Sequence, residues 1–208
     1  MIHLQDAAAR RGKKILFTDA TFTINPGEKV GVVGANGCGK SSLFYMLCNE
    51  LQLDSGELKL PPKASISIMR QEIKHTDRPA LEYVIDGDSE LRSLEDQLQR
   101  AETAHDNNAI ASAHAALDLR RAYEVPVRAQ QIMAGLGFTE SDHYKQVGEF
   151  SGGWRIRLNL ARTLLQPADI MLLDEPTNHL DIDTIGWLEQ WLIRCCASRA
   201  ARWRSAAE

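Results

Sequence analysis

The run Gly34-Ala35-Asn36-Gly37-Cys38-Gly39-Lys40-Ser41 fits the pattern GxxxxGK[ST] and constrains this 208-residue chain more than any other stretch in it. It stands between an apolar run at 29–33, carrying Val30, Val32 and Val33, and a segment from Lys40 to about Asn49. In that segment Leu43, Phe44 and Leu47 fall on one helical stripe. The order predicted is therefore a strand buried on both faces, a glycine-bent loop and a helix. Glycines let successive N–H groups turn toward one point, and the positive end of the following helix faces the same point. Such a cradle takes a nucleotide phosphate: Lys40 reaches the β- and γ-phosphates, and the Ser41 hydroxyl ligates Mg²⁺. Cys38 reads as a small loop residue whose alkylation blocks nucleotide entry.

A second apolar run, Ile170-Met171-Leu172-Leu173, ends in Asp174-Glu175. Carboxylates at the tip of a buried strand are costly unless a cation meets them. With a phosphate loop in the same chain, Asp174 is read as holding magnesium through its water shell and Glu175 as polarising the attacking water. The plainer alternative is a strand that simply ends at solvent.

The rest of the chain alternates in the same way. Short β-rich runs are expected at 15–17, 21–24, 57–60 and 66–69, set off by turn residues such as Asn25-Pro26-Gly27. From Leu81 to Arg121 the pattern turns helical, with Leu91, Leu94 and Leu98 in phase and Asn107-Asn108 as the expected turn of a hairpin over 88–121. The hairpin's mixed charges suit a solvated face. Further helices are expected at 127–134, at 151–165 with Ser151 as N-cap, and at 182–192. Strands alternating with helices make the fold class α/β, a phosphate-loop fold with an N-terminal antiparallel β region and a helical insertion.

Composition narrows the partners. A net charge of −4 gives no global case for nucleic-acid binding, which needs clustered positive charge. No apolar run approaches the ~20 residues of a bilayer span, and residues 1–14 do not read as a signal peptide. Cys38, Cys48, Cys195 and Cys196 form no CxxC pair and no metal spacing, so free thiols and a cytoplasmic location are expected.

Three motifs in order, at 34–42, at Phe150-Ser151-Gly152-Gly153-Trp154-Arg155 and at Asp174-Glu175-Pro176-Thr177-Asn178-His179-Leu180-Asp181, resemble the ATP-binding-cassette family. They are similar in particular to its subfamily F, tandem-cassette ATPases acting on ribosomes, over residues 1–192. The resemblance implies ATP and Mg²⁺ as ligands. Gly34, Asn36, Gly37, Cys38, Gly39, Lys40, Ser41 and Ser42 would then hold ATP. Ser151, Gly152 and Gly153 match the signature that contacts the γ-phosphate of the opposite cassette. Gln71 matches the glutamine that senses magnesium and the nucleophilic water. Trp154 stands where transporters usually have glutamine. Asp181 matches the aspartate loop that crosses the dimer, and it equally suits an N-cap for the helix at Ile182. Arg11 occupies the approximate place of the adenine-stacking aromatic, and a guanidinium can stack on a base. The hairpin resembles an inserted arm that touches the ribosome.

The family pattern stops at Leu192. A further apolar strand ending in Ser-His-Asp is expected there, and the chain instead runs from Ile193 through Cys195-Cys196 to Arg204 without a β-rich stretch. Residues 193–208 are thus read as a non-homologous tail of a truncated cassette. The missing strand would leave two strands without a neighbour. The partner for an ATP sandwich would be a second cassette or a second copy, and hydrolysis by the chain alone would be weak or nil. Two alternatives stand beside this reading: the ATP-binding subunit of a membrane transporter, or a non-catalytic remnant that binds nucleotide only.

Overall fold

The computed structural model describes residues 1–12, 14–35, 37–69 and 77–205, with side chains outside the description at 11 and 195–205. The chain divides into two compact units: Met1–Ile68 with Ala168–Asp174 and Gln190–Glu208, and Met69–Pro167 with Glu175–Glu189.

The first unit is built on strands. β1 (Ile2–Arg11) lies between β2 (Lys14–Ile24) and β3 (Ser55–Lys59), antiparallel to both. Residues 15–17 and 21–24, expected as separate strands, join into the single strand β2, because β1 runs alongside the whole of it. β1 itself escapes the expected pattern for a physical reason. Ile2 and Leu4 are buried at even positions, Ala7 and Ala9 at odd ones, and the parity changes across Asp6 at φ 47°. An irregularity of this kind inserts one residue and exchanges the faces of everything after it. The Asp6 N–H is satisfied there by Thr21 Oγ1 at 2.9 Å. Gly56 of β3 backs onto the same spot. It has φ 86°, and a Cβ on it would come within 2.5 Å of the β1 backbone, so only glycine fits.

α1 (Lys40–Leu47) follows the phosphate loop, and β4 (Ile66–Ile68) pairs in parallel with β5 (Ile170–Leu172). The two strands start from a reciprocal clasp: Ser65 N–H and Oγ both donate to Asp169 Oδ2 at 2.9 Å, and Asp169 N–H donates back to Ser65 Oγ. Ile2, Leu47 and Leu172 form the core of this unit, with Phe22, Phe44, Leu58, Ile66, Ile68 and Ile170 packed around them.

The strand expected at 29–33 is absent. These residues join neither sheet, and Val30, Val32 and Val33 are 56%, 42% and 95% exposed. Among the described residues no strand pairs with them, and an apolar run without a neighbouring strand has no sheet to be buried in.

Helices build the second unit. α2 (Ala80–Ile85), α5 (Val125–Gly135) and α6 (Gly152–Leu165) pack on one another, burying Tyr83, Val84, Ile132, Met133, Leu158 and Leu164. Each fully buried leucine of this kind contributes about 1.5–3 kcal/mol. α3 (Ser89–Thr103) and α4 (Asn107–Leu119) form the expected hairpin. Its turn lies at 104–106, one step before the Asn107-Asn108 pair. Asp106 takes the N-cap by accepting from Asn108 and Ala109 N–H, and both asparagines thereby enter the helix. At the base, Asp88 caps α3 by accepting from Leu91 N–H, and Arg120 from the end of α4 pairs with Asp88 and Glu90. α7 (Ile182–Ser205) continues beyond the expected end at 192. The α/β class, the N-terminal antiparallel region and the helical insertion are all observed.

Candidate functional site

In the first unit the phosphate loop opens directly into α1. Gly39 precedes the helix in the left-handed region at φ 111°, where a side chain would be strained and its Cβ would press on Leu16 at 3.0 Å. The first helical hydrogen bond runs from Leu43 N–H to Gly39 O at 3.0 Å. The N–H groups of Lys40, Ser41 and Ser42 therefore have no acceptor within the helix and mark its positive end. Lys40 Nζ donates to the carbonyl oxygens of Gly34 at 2.8 Å and Ala35 at 3.1 Å. Lys14 Nζ donates to Gly37 O at 2.7 Å. Two ammonium groups thus rest on the loop, and together with the helix end they favour an anion.

Asp174 meets this cradle from β5. Ser41 Oγ donates to Asp174 Oδ2 at 2.5 Å, joining residues 133 positions apart in the chain. Both are hard oxygen donors beside a phosphate cradle. No cluster of three or more His, Cys, Asp or Glu side chains suited to a metal exists among the described residues. One carboxylate and one hydroxyl next to a phosphate site suit Mg²⁺, which keeps several waters and shares its shell with phosphate oxygens.

The second unit carries the signature and the segment after Asp174. Ser151 occupies the N-cap position of α6, but its exposed side chain makes no capping bond. The first helical bond is Arg155 N–H to Ser151 O at 2.9 Å, leaving the N–H groups at 152–154 without helical acceptors. Gly153 faces His179, whose Cβ would lie 3.5 Å from a Cβ on the glycine. Trp154 packs edge-on against Phe138, with ring centroids 4.9 Å apart. Within 175–181, Asn178 Nδ2 donates to Glu175 Oε2 at 2.7 Å and orients that exposed carboxylate. Asp181 caps α7, its Oδ1 accepting Thr184 N–H at 2.9 Å while Oδ2 pairs with Arg157 at 3.1 Å. Thr184's backbone and side-chain bonds, opposed by some desolvation and aided by Arg157, pull the Asp181 carboxyl down to about 2.

Of the residues singled out in the sequence, Gly34, Lys40, Ser41 and Asp174 come together, with Gly37, Cys38 and Gly39 in the same loop and Ser42 buried on α1. Ser151, Gly152, Gly153 and Asp181 belong to the second unit, as does Glu175. Asn36 and Gln71, and the side chain of Arg11, lie outside the described residues. Sequence reasoning passed over Lys14, Asn178 and Arg157. Arg157 carried one usable signal, its position three residues after Trp154, which puts both on one helix face.

Comparison with known proteins agrees with these motifs. The ABC transporter family model matches residues 17–178. The Escherichia coli (strain K12) protein named "Probable ATP-binding protein YheS" is 48% identical over 192 residues, 92% of this chain and 30% of that protein. The Haemophilus influenzae protein of the same name is 47% identical over 194 residues, 93% of this chain and 30% of its own length. Human "ATP-binding cassette sub-family F member 3" is 38% identical over 189 residues, covering 87% and 26%. The chain thus spans under a third of the length of these relatives. Among solved structures, an ATP-binding subunit of an ABC transporter superposes with a TM-score of 0.66 at 18% identity, over 95% of this chain and 75% of the other. Clostridium perfringens cbiO1, part of an ABC transporter complex, gives 0.60 at 17% identity, over 96% and 74%; at such identities the likeness is one of fold. No helix among the described residues is long and apolar enough to cross a membrane. With its motifs in order and a family model matched over most of its length, the chain belongs to the ABC transporter family, its sequence likeness lying with subfamily F.

Proposed function

We propose that this chain is an ATP-binding cassette that binds Mg²⁺ and ATP at 34–42 and Asp174, with Glu175 the base for hydrolysis once a second cassette or a second copy completes the site. The observation that carries the reading is the Ser41–Asp174 bond beside the Lys40 loop, which gathers phosphate and metal ligands from distant parts of the sequence. On binding, Lys40 exchanges the carbonyl oxygens of Gly34 and Ala35 for phosphate oxygens, and the open N–H groups of α1 complete the cradle. Bound Mg²⁺ supplies positive charge that offsets the charge on the phosphate oxygens. Ser41 Oγ and Asp174 Oδ2 hold the metal's shell, and Gln71 assists from its own segment. Glu175, oriented by Asn178, accepts a proton from the attacking water. Arg11 stacks on adenine.

The signature at Ser151, Gly152 and Gly153, with Asp181, faces the γ-phosphate of a second cassette or a second copy, and its open N–H groups suit that role. The likeness to subfamily F supports the ribosome as partner and translation as the setting, in the cytoplasm, with the α3–α4 hairpin touching the ribosome. The test is ATP turnover and assembly by the wild type and Glu175→Gln. Loss of a carboxylate base lowers turnover by ~10²–10⁴-fold, and the variant, still binding Mg²⁺ and ATP, accumulates as an ATP-dependent dimer and co-sediments with ribosomes. Identical background turnover in the two proteins means no native catalysis, and the chain is then a remnant that binds nucleotide only. Sedimentation with membranes in place of ribosomes moves the function to a transporter subunit.

A further inference from the structure

We infer that Arg157 is a positioning residue that fastens the 175–181 segment to the signature helix, so that the Glu175 loop and the Ser151 turn move as one piece. The inference deepens the function proposed above and rests on it for the consequence in turnover; the fastening stands on geometry alone.

One guanidinium reaches two segments outside its own helix. Arg157 Nε and Nη2 donate to the His179 carbonyl at 3.0 and 2.8 Å, and Nη2 also donates to Asp181 Oδ2 at 3.1 Å. Nη1 donates to Leu136 O at 3.3 Å, at the turn that follows α5. The guanidinium carbon lies over the Trp154 ring, 4.8 Å from its centroid, and only 12% of the side chain is exposed. Every nitrogen is thus used, and the cation also sits over an aromatic ring. A lysine ammonium cannot reproduce this arrangement, because it is a point donor on a flexible stem with no face to stack.

The segment so held needs holding. Glu175 at φ 48° and His179 at φ 66° are both non-glycine residues in the left-handed region, four residues apart. Such backbone persists only where its surroundings over-determine it. Two turn bonds, Asn178 N–H to Glu175 O and Leu180 N–H to Thr177 O, are internal to the segment and do not anchor it. Asp181 ties the end of the segment to α7, and Arg157 provides the anchor to α6, gripping the carbonyl of a strained residue. Through Asn178, bonded to both the backbone and the carboxylate of Glu175, the grip extends to the group proposed as base. Trp154 and Gly153, one helical turn earlier, belong to the signature itself. A shift of the signature turn on meeting a γ-phosphate is therefore passed to Glu175 through Arg157, with no other element required.

The test is amide hydrogen exchange of the full chain, read by mass spectrometry, for the wild type, Arg157→Ala and Arg157→Lys, together with ATP turnover. In Arg157→Ala, amides at 177–181 exchange at least about tenfold faster, while amides at 158–164 of α6 keep wild-type protection. Arg157→Lys gives an intermediate value, since one of the several bonds can be remade. In the alanine variant kcat falls about tenfold or more, and KM for ATP changes by less than about twofold, since the phosphate loop is untouched. Unchanged exchange at 177–181 in both variants overturns the inference. So does loss of protection shared by α6 in both variants, which makes Arg157 a general support. If the wild type neither binds nor hydrolyses ATP, the proposed function fails, and the exchange data still decide the fastening.

Discussion

Leu164 in α6 and Val33 just ahead of the phosphate loop are aliphatic residues in runs that the sequence marks for burial. In the structure Leu164 has no exposed surface, and Val33 is 95% exposed. The difference lies in what each residue requires of the rest of the chain. A helix satisfies its own backbone, so α6 needs only the apolar faces of α2 and α5, which lie within the same unit. A strand buried on both faces needs hydrogen-bonding neighbours as well, and residues 29–33 find none among the described residues. Apolar pattern says where burial is possible; for strands, it takes pairing to realise it.

Alanine substitutions in the two regions test this contrast. Leu164→Ala removes a fully buried side chain and is expected to lower stability by about 2–5 kcal/mol in urea unfolding followed by circular dichroism. A loss under about 1 kcal/mol would show that the helical unit is loosely packed. Gly135→Ala puts a Cβ within 1.8 Å of the Trp187 ring, and the resulting overpacking is expected to cost about 1–3 kcal/mol. Ser41→Ala, in the other unit, removes one hydrogen bond to Asp174 and is expected to cost about 0.5–1.5 kcal/mol without ligand. Val33→Ala should fall within about 0.5 kcal/mol of wild type, as exposed substitutions do. A cost above about 2 kcal/mol at Val33 would mean that 29–33 is buried in solution, and the contrast would fail.

The gentlest effect is acid sensitivity in the helical unit. The Lys145 and Thr139 bonds hold the Asp142 carboxyl at about 2, and Thr184's bonds do the same for Asp181. Both values are depressed below the unfolded value near 4, so these contributions are fully present above about pH 4 and fade as pH falls through about 2. Thermal unfolding at pH 6 and pH 3 should show a smaller loss in an Asp142→Asn/Asp181→Asn double variant than in the wild type. Equal losses would remove these two carboxylates as the cause.

Legibility followed the same division. The phosphate loop, α1, α6 and β5 were readable because their signals are local: a motif, a 3.6-residue period, or an apolar run ending in acids. β1 was hidden by the irregularity at Asp6, which moves the buried set from Ile2 and Leu4 to Ala7 and Ala9 and destroys the alternation. The hairpin turn falls before Asn107-Asn108 because Asp106 takes the N-cap and draws both asparagines into α4. Within the candidate site, Ser41 and Asp174 are singled out by residue type and motif, and the structure joins them by a hydrogen bond. Arg157 is not singled out, because its main partners are backbone carbonyls at Leu136 and His179, and a carbonyl leaves no mark on residue identity.

The 34–41 loop and Asp174 are proposed to form one site for a metal-bound nucleotide. Calorimetric titration of the folded chain with ATP, with Mg²⁺ and with a chelator, tests it for the wild type and Lys40→Ala. Binding is expected to require Mg²⁺ and to weaken about ten- to hundredfold in Lys40→Ala, in line with the loss of about 1.5–3 kcal/mol of charged hydrogen bonding. Folded wild-type protein that shows no Mg²⁺-dependent affinity for ATP, or affinity indifferent to Lys40→Ala, would contradict it.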